Sequence, residues 1–146
     1  MASNSNLTIF YTDDDLEDLE FFKEVTDSLE QSIDLVTLNS GEALLDILDN
    51  PPPCPHMVFL DVNMPGLTGF DVLERVRKSM HFTSLPVVMF TTSNDQVIID
   101  RSLHLGANFF VQKSGSFPSL KKSIEYALKI DWSSFKTTPE NFVYAA

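Results

Sequence analysis

The sequence predicts a doubly wound α/β fold, five βα units around a parallel sheet, on three observations. Short apolar runs alternate with longer amphipathic segments almost from end to end. The runs are nearly continuous in apolar character, as strands buried on both faces are. The chain, at 146 residues, has the length of one domain with a sizeable core, so the units are expected to share a single sheet.

The elements follow in order. Leu7 to Thr12 reads as the first strand, and Leu16 to about Leu29 as a helix with Leu19, Phe22, Val25 and Leu29 at spacings of three and four. Ile33 to Leu38 is the second strand; Ser40 can cap a helix that turns Leu44, Ile47 and Leu48 inward. Met57 to Asp61 is the third, followed by a helix with Phe70, Leu73 and Val76 as its stripe. Val87 to Thr91 is the fourth; Ser93, Asn94 and Asp95 offer caps for a helix ending near Gly106. Asn108 to Gln112 is the fifth, and after Pro118 a last helix places Leu120, Ile124, Ala127 and Leu128 on one side.

Composition narrows the classes of function. Ten basic and 21 acidic residues leave a net charge of −11, which disfavours direct nucleic-acid binding, since phosphate contacts need clustered Lys and Arg. The longest apolar runs fall short of the roughly 18 residues of a membrane span, and the start MASNSN has neither the basic nor the apolar part of a signal peptide. A cytosolic protein without membrane insertion is expected. The single cysteine, Cys54, has no disulfide or metal-ligand companion, and His56, His81 and His104 are scattered without ligand spacing.

In a doubly wound fold, sites lie beyond the carboxyl ends of the strands. Those ends are Asp13-Asp14-Asp15, Asn39-Ser40, Asp61, Thr91-Thr92 and Lys113. Asp61 closes the apolar run VFL just before a Pro65-Gly66 turn, and desolvating an unpaired carboxylate costs several kcal/mol. If Asp13, Asp14 and Asp61 meet, each close pair of like charges costs about 4 kcal/mol at 4 Å in an effective dielectric near 20. Such a cluster calls for a hard, oxygen-seeking cation such as Mg²⁺, and the lack of a neighbouring His or Cys argues against zinc. With Lys113 and the Thr91 hydroxyl nearby, Asp61 becomes a candidate nucleophile for phosphoryl transfer. Taken singly, the acid run is also a solvated helix N-terminus, Thr91 a strand residue and Lys113 a surface lysine.

The segments YTDDDLED, VFLDVNMPGLTGFDVL, VVMFTTS and LGANFFVQK, in this order and spacing, resemble the receiver domain of two-component response regulators, and within them the single-domain kind. The likeness covers roughly residues 7 to 130, leaving residues 1–6 as an extension and 131–146 as a tail. It implies a (βα)5 three-layer sandwich, flavodoxin-like and CheY-like, with strand order 2-1-3-4-5. It further implies Asp61 as phosphoacceptor, and Mg²⁺ or Mn²⁺ held by Asp14 and Asp61 directly, by Asp13 through water and by the backbone carbonyl of Asn63. In the same match Lys113 contacts the phosphoryl group, Thr91 is the switch hydroxyl and Phe110 the aromatic switch residue. Thr92 is small enough to admit a phosphodonor, and Asn63 and Ser93 stand where the dephosphorylation rate is tuned. The donor would be a sensor histidine kinase or histidine phosphotransfer protein. The chain would be no enzyme beyond its own phosphorylation and dephosphorylation. Its output would be a population shift altering the face of the fourth helix, fifth strand and fifth helix, where a downstream protein binds.

Two positions depart from the pattern. Ser114 follows Lys113 where the family usually has a proline after a cis bond; a cis bond before a non-proline costs about 2.5–4 kcal/mol, so a trans bond or a strained loop is expected. Phe110 lacks the hydroxyl of the commoner tyrosine. The tail DWSSFKTTPENFVYAA carries Trp132, Phe135, Phe142 and Tyr144, and is expected either to dock on the domain or to form a dimer or partner contact. Two other functions compete: a degenerate receiver that binds partners without phosphorylation, and a Mg²⁺-dependent phosphatase of the haloacid dehalogenase type. The phosphatase pattern is D-x-D at the nucleophile, whereas Asn63 stands two residues beyond Asp61.

Overall fold

The computed structural model describes residues 7–50, 56–80 and 82–145. Residues 1–6, Cys54 and His81 lie outside the described residues. Five strands, β1 (Leu7–Thr12), β2 (Ile33–Leu38), β3 (His56–Leu60), β4 (Val87–Thr91) and β5 (Phe109–Gln112), alternate with five helices. These are α1 (Leu16–Asp27), α2 (Gly41–Leu48), α3 (Gly69–Lys78), α4 (Gln96–His104) and α5 (Phe117–Lys129). All pairings are parallel and the order is β2-β1-β3-β4-β5, as the resemblance implies. The predicted elements match to within one or two residues; β3 stops at Leu60, which puts Asp61 one residue beyond the strand.

The helices start where side chains can take up free backbone N–H groups. Asp15 accepts from Glu17 and Asp18, Ser40 from Ala43, Asp95 from Val97 and Ser116 from Ser119. Thr68 and Asp71 form a reciprocal capping box at α3. Of the three caps predicted for α4, Asp95 fills the place, while Ser93 Oγ accepts from the Asp95 N–H at 3.2 Å. Among the described residues there is no cis peptide bond, so Lys113–Ser114 is trans.

Strand alternation splits the core between the two faces of the sheet. Phe10, Val58, Met89 and Phe110 pack with Leu44 and Leu73 on one side. Ile9, Tyr11, Phe59 and Phe90 pack with Phe22 and Ile124 of α1 and α5 on the other. The chain passes from β1 to β2 on one flank and then returns to β3 on the other. The crevice between β1 and β3 is therefore the switch point, where doubly wound folds place sites.

The residues after α5 run back along β5. Phe110 donates its N–H to the Phe142 carbonyl at 2.9 Å and accepts from the Tyr144 N–H at 2.8 Å, a parallel bridge that continues the sheet for one step. Phe142 is buried in the Phe110 core, its ring centroid 6.1 Å from that of Phe110. Trp132 and Phe135 pack on Phe109 and Tyr144 on Tyr126, at the other face. The segment thus straddles the sheet edge. No helix among the described residues is long and apolar enough to cross a membrane.

Candidate functional site

Backbone pairing brings the strand ends together. The Asp13 N–H donates to Leu38 O at 3.0 Å, the Asp61 N–H to Thr12 O at 3.0 Å and the Lys113 N–H to Thr91 O at 2.7 Å. These three residues are thus tied to the neighbouring strand rather than left on a free loop. Asp13 and Asp61 are buried, and Asp14 is exposed at the rim. One carboxylate oxygen from each of Asp13, Asp14 and Asp61 lies within 4.8 Å of the others.

The ammonium of Lys113 enters this cluster. It donates to Asp13 Oδ2 at 2.5 Å and to Asp18 Oδ2 at 2.8 Å, with Asp61 Oδ1 at 3.6 Å. Asp13 is engaged on both oxygens: Oδ1 accepts the Asp15 N–H at 3.0 Å, and Oδ2 also accepts the Tyr11 hydroxyl at 2.5 Å. Burial pulls the Lys113 ammonium down, but hydrogen bonds to Asp13 and Asp18 and the charge of Asp61 outweigh it and hold its pKa raised. Burial pushes Asp61 up to about 7, Lys113 opposes that shift and the Asp13 charge adds to it. Tyr11 is raised by burial and by Asp13, so its phenol stays a donor.

The donor set suits a hard divalent cation: three carboxylates, no nitrogen or sulfur ligand among the described residues, and a buried acid whose ionised form is only partly compensated by one ammonium. Thr91 is fully buried at the end of β4, its hydroxyl 3.4 Å from the Ser93 N–H. Thr92 and Asn63 are exposed beside it and beyond Asp61. Phe110 is fully buried. It lies on the face opposite Tyr11.

The loop after Asp61 is shaped by two glycines. Gly66 takes a left-handed φ of 75° after Pro65. Gly69 donates to the Val62 carbonyl at 2.9 Å, and a Cβ there would stand 2.3 Å from the Asp61 carbonyl oxygen and 2.9 Å from Val62 Cα. Gly69→Ala is accordingly expected to cost about 1–3 kcal/mol in chemical denaturation and to weaken divalent-ion binding, because only backbone movement at Asp61 relieves the clash.

Tyr11 and Asp18 were not among the residues singled out from the sequence. A tyrosine in an otherwise apolar strand was the available signal for the first, since a buried phenol needs a partner and residue i+2 lies on the same face. Asp18 looks like one more acid in the first turn of a helix, and nothing local sets it apart.

The family model for the response regulator receiver domain matches residues 9–125. The two-component response regulator ARR8 of Arabidopsis thaliana is 30% identical over 146 residues, spanning 88% of this chain and 64% of that protein. The response regulator Rcp1 of Synechocystis sp. is 26% identical over 142 residues, spanning 94% of this chain and 96% of its own. A crystal structure of Mn(2+)-bound Rcp1 superposes with a TM-score of 0.73 at 23% identity, covering 90% of this chain and 99% of that one. The phosphorylated cyanobacterial phytochrome response regulator RcpA superposes at 0.76 with 24% identity, covering 92% and 99%. At these identities the two superpositions bear on the fold.

Proposed function

This chain belongs to the response regulator receiver domain family of two-component systems, and from that premise we propose that Asp61 is its phosphoacceptor. The observation that carries the reading is the buried Asp61 carboxylate facing Asp13, Asp14 and Lys113 at the switch point of the sheet. In the step proposed, an Asp61 carboxylate oxygen attacks the phosphorus of a phosphohistidine. The P–N bond breaks, its electron pair stays on the imidazole, and an aspartyl phosphate results. Water later cleaves the acyl phosphate, returning the carboxylate and inorganic phosphate. Receiver domains are in general signalling proteins rather than enzymes, and in this reading the chain's own chemistry is limited to these two steps.

Asp14 and Asp61, with Asp13 through water and the Asn63 carbonyl, would hold a divalent ion, Mg²⁺ or Mn²⁺; Rcp1 is a relative that binds Mn²⁺. Bound, the ion supplies charge neutralisation for the phosphoryl oxygens. Lys113, its ammonium 3.6 Å from Asp61 Oδ1, would supply a fixed positive charge and an N–H to the phosphoryl group. The hydroxyl of Thr91 is the group that would turn toward a phosphoryl oxygen, and Thr92 leaves the approach open.

A histidine kinase or histidine phosphotransfer protein is the proposed donor. For the downstream partner we propose the surface around β5. Val97 on α4, Tyr126 on α5 and Val143 beyond it are 72%, 53% and 42% exposed, large apolar groups on each element that flanks this strand. Phe110 is already inside and stapled to Phe142, so output would come from movement of the Thr91 loop and α4 rather than from an outward Phe110.

Intact mass after incubation with acetyl phosphate, with and without Mg²⁺, tests the reading. The expected result is gain of one phosphoryl group that requires Mg²⁺ and maps to the peptide holding Asp61. Absence of any gain, with both acetyl phosphate and a phosphorylated phosphotransfer protein, would favour the phosphorylation-independent binding module.

A further inference from the structure

Lys113 is fixed at both ends, by its backbone and by its ammonium. Its backbone is tied to Thr91. Beyond it the loop is loosely packed: among the described residues Ser114 Oγ accepts only the local Ser116 N–H at 3.1 Å, and a Cβ at Gly115 would have nothing within 4 Å. The position of the ammonium therefore depends on what its tip bonds. An ammonium has three N–H groups. One goes to Asp13 Oδ2, an oxygen shared with the Tyr11 hydroxyl, and one to Asp18 Oδ2. Asp61 Oδ1 at 3.6 Å is within ion-pair range and beyond a hydrogen bond.

Asp18 is well placed to act as an anchor. Its own N–H is held by the α1 cap Asp15 at 3.2 Å, so its carboxylate is mounted on a capped helical turn. Although the Asp18 side chain is 36% exposed, the Lys113 side chain is only 10% exposed, and a charge-assisted bond to a buried ammonium constrains it far more than a surface pair would. The Phe90 ring, 5.8 Å from the ammonium, borders it on the strand side.

We propose that Asp18 is a positioning residue for Lys113: with Asp13 it occupies two of the three N–H groups and leaves the third directed at the space beside Asp61, where an arriving phosphoryl oxygen needs a donor. The inference rests on the reading of Asp61 as phosphoacceptor. Asp18 touches neither phosphoryl group nor metal in this role and acts through Lys113 alone.

The test is the rate of phosphorylation by acetyl phosphate at saturating Mg²⁺ for the full chain, Asp18→Ala, Lys113→Met and the double variant. Asp18→Ala is expected to lower the rate constant at saturating donor about ten-fold with little change in the half-saturating donor concentration. In the Lys113→Met background the same substitution is expected to cost less than about two-fold. A merely structural role at the α1 N-terminus would cost the same in both backgrounds, and that result, or a native rate for Asp18→Ala, overturns the proposal. Should Lys113→Met show no measurable uptake, acylation of lysines followed by mass spectrometry decides. Loss of Asp18 is expected to raise the labelling rate of Lys113 several-fold with the other lysines unchanged, and an unchanged Lys113 overturns the proposal. Failure of the native chain to take up phosphate counts against the Asp61 reading instead, and the labelling measurement still judges Asp18.

Discussion

Asp61→Asn is expected to abolish phosphoryl uptake and, in the same molecule, to raise stability at alkaline pH. Removing the nucleophile lowers the rate by roughly a thousand-fold or more. The stability effect follows from the carboxyl being pushed from 3.8 to about 7 by burial, with Lys113 only partly compensating. Below pH 3.8 the folded and unfolded chains both carry the proton and Asp61 contributes nothing. Between 3.8 and 7 the unfolded chain has lost the proton while the folded chain keeps it, so stability falls as pH rises. Above 7 the full penalty for a buried anion is present. Asparagine removes that penalty, in which the opposing pull of Lys113 is already counted, and the net gain is on the order of 2 kcal/mol or more at about pH 8. Chemical denaturation of metal-free protein at about pH 8 and pH 4 checks the sign: a clear gain at the higher pH and little difference at the lower. Mg²⁺ is expected to stabilise the native chain by mass action and to leave Asp61→Asn nearly unmoved. An Asp61→Asn chain no more stable than the native one at pH 8 would mean that the carboxylate is adequately paired without a metal.

Much of this site was legible in the sequence because its parts sit where strand periodicity and strand ends coincide. An acid closing an apolar run, an acid pair closing another, and a lysine closing the last are conspicuous because each breaks a pattern. The parallel pairing then carries Asp13, Asp61 and Lys113 to one end of the sheet. The network that orients them was not legible, for a physical reason. Asp18 bonds Lys113 across 95 residues, and helix-surface acids are common enough that a long-range partner leaves no local trace. Tyr11 reads as core, which it also is, its ring 4.4 Å from that of Phe22. The aromatic content of the last residues pointed to docking or an interface. Which edge they meet depends on register between β5 and residues 142–144, and aromatic content carries no register.

Phe142→Ala is expected to be the most destabilising single change in the segment that follows α5. Phe142 is 1% exposed and belongs to the Phe110 side of the core, while Trp132, Phe135 and Tyr144 of the same segment pack on the opposite side. Truncating a buried phenylalanine costs about 3–5 kcal/mol, which for a domain of this size is a drop of roughly 10 °C in Tm. Val143→Ala, at a side chain 42% exposed, serves as the control and is expected to stay within about 0.5 kcal/mol. The chain's single tryptophan, Trp132, lies in the same segment, so its fluorescence reports on that segment while circular dichroism reports on the sheet and helices. Because the segment contributes to both core faces and supplies both backbone partners of Phe110, the two signals are expected to change together in the native chain, as one cooperative unit. A fluorescence transition preceding loss of circular dichroism would instead identify the segment as a separable layer. In Phe142→Ala the same comparison shows whether the loss is felt by the whole domain: coincident transitions at the lowered Tm would establish that residues 131–145 are part of the receiver core.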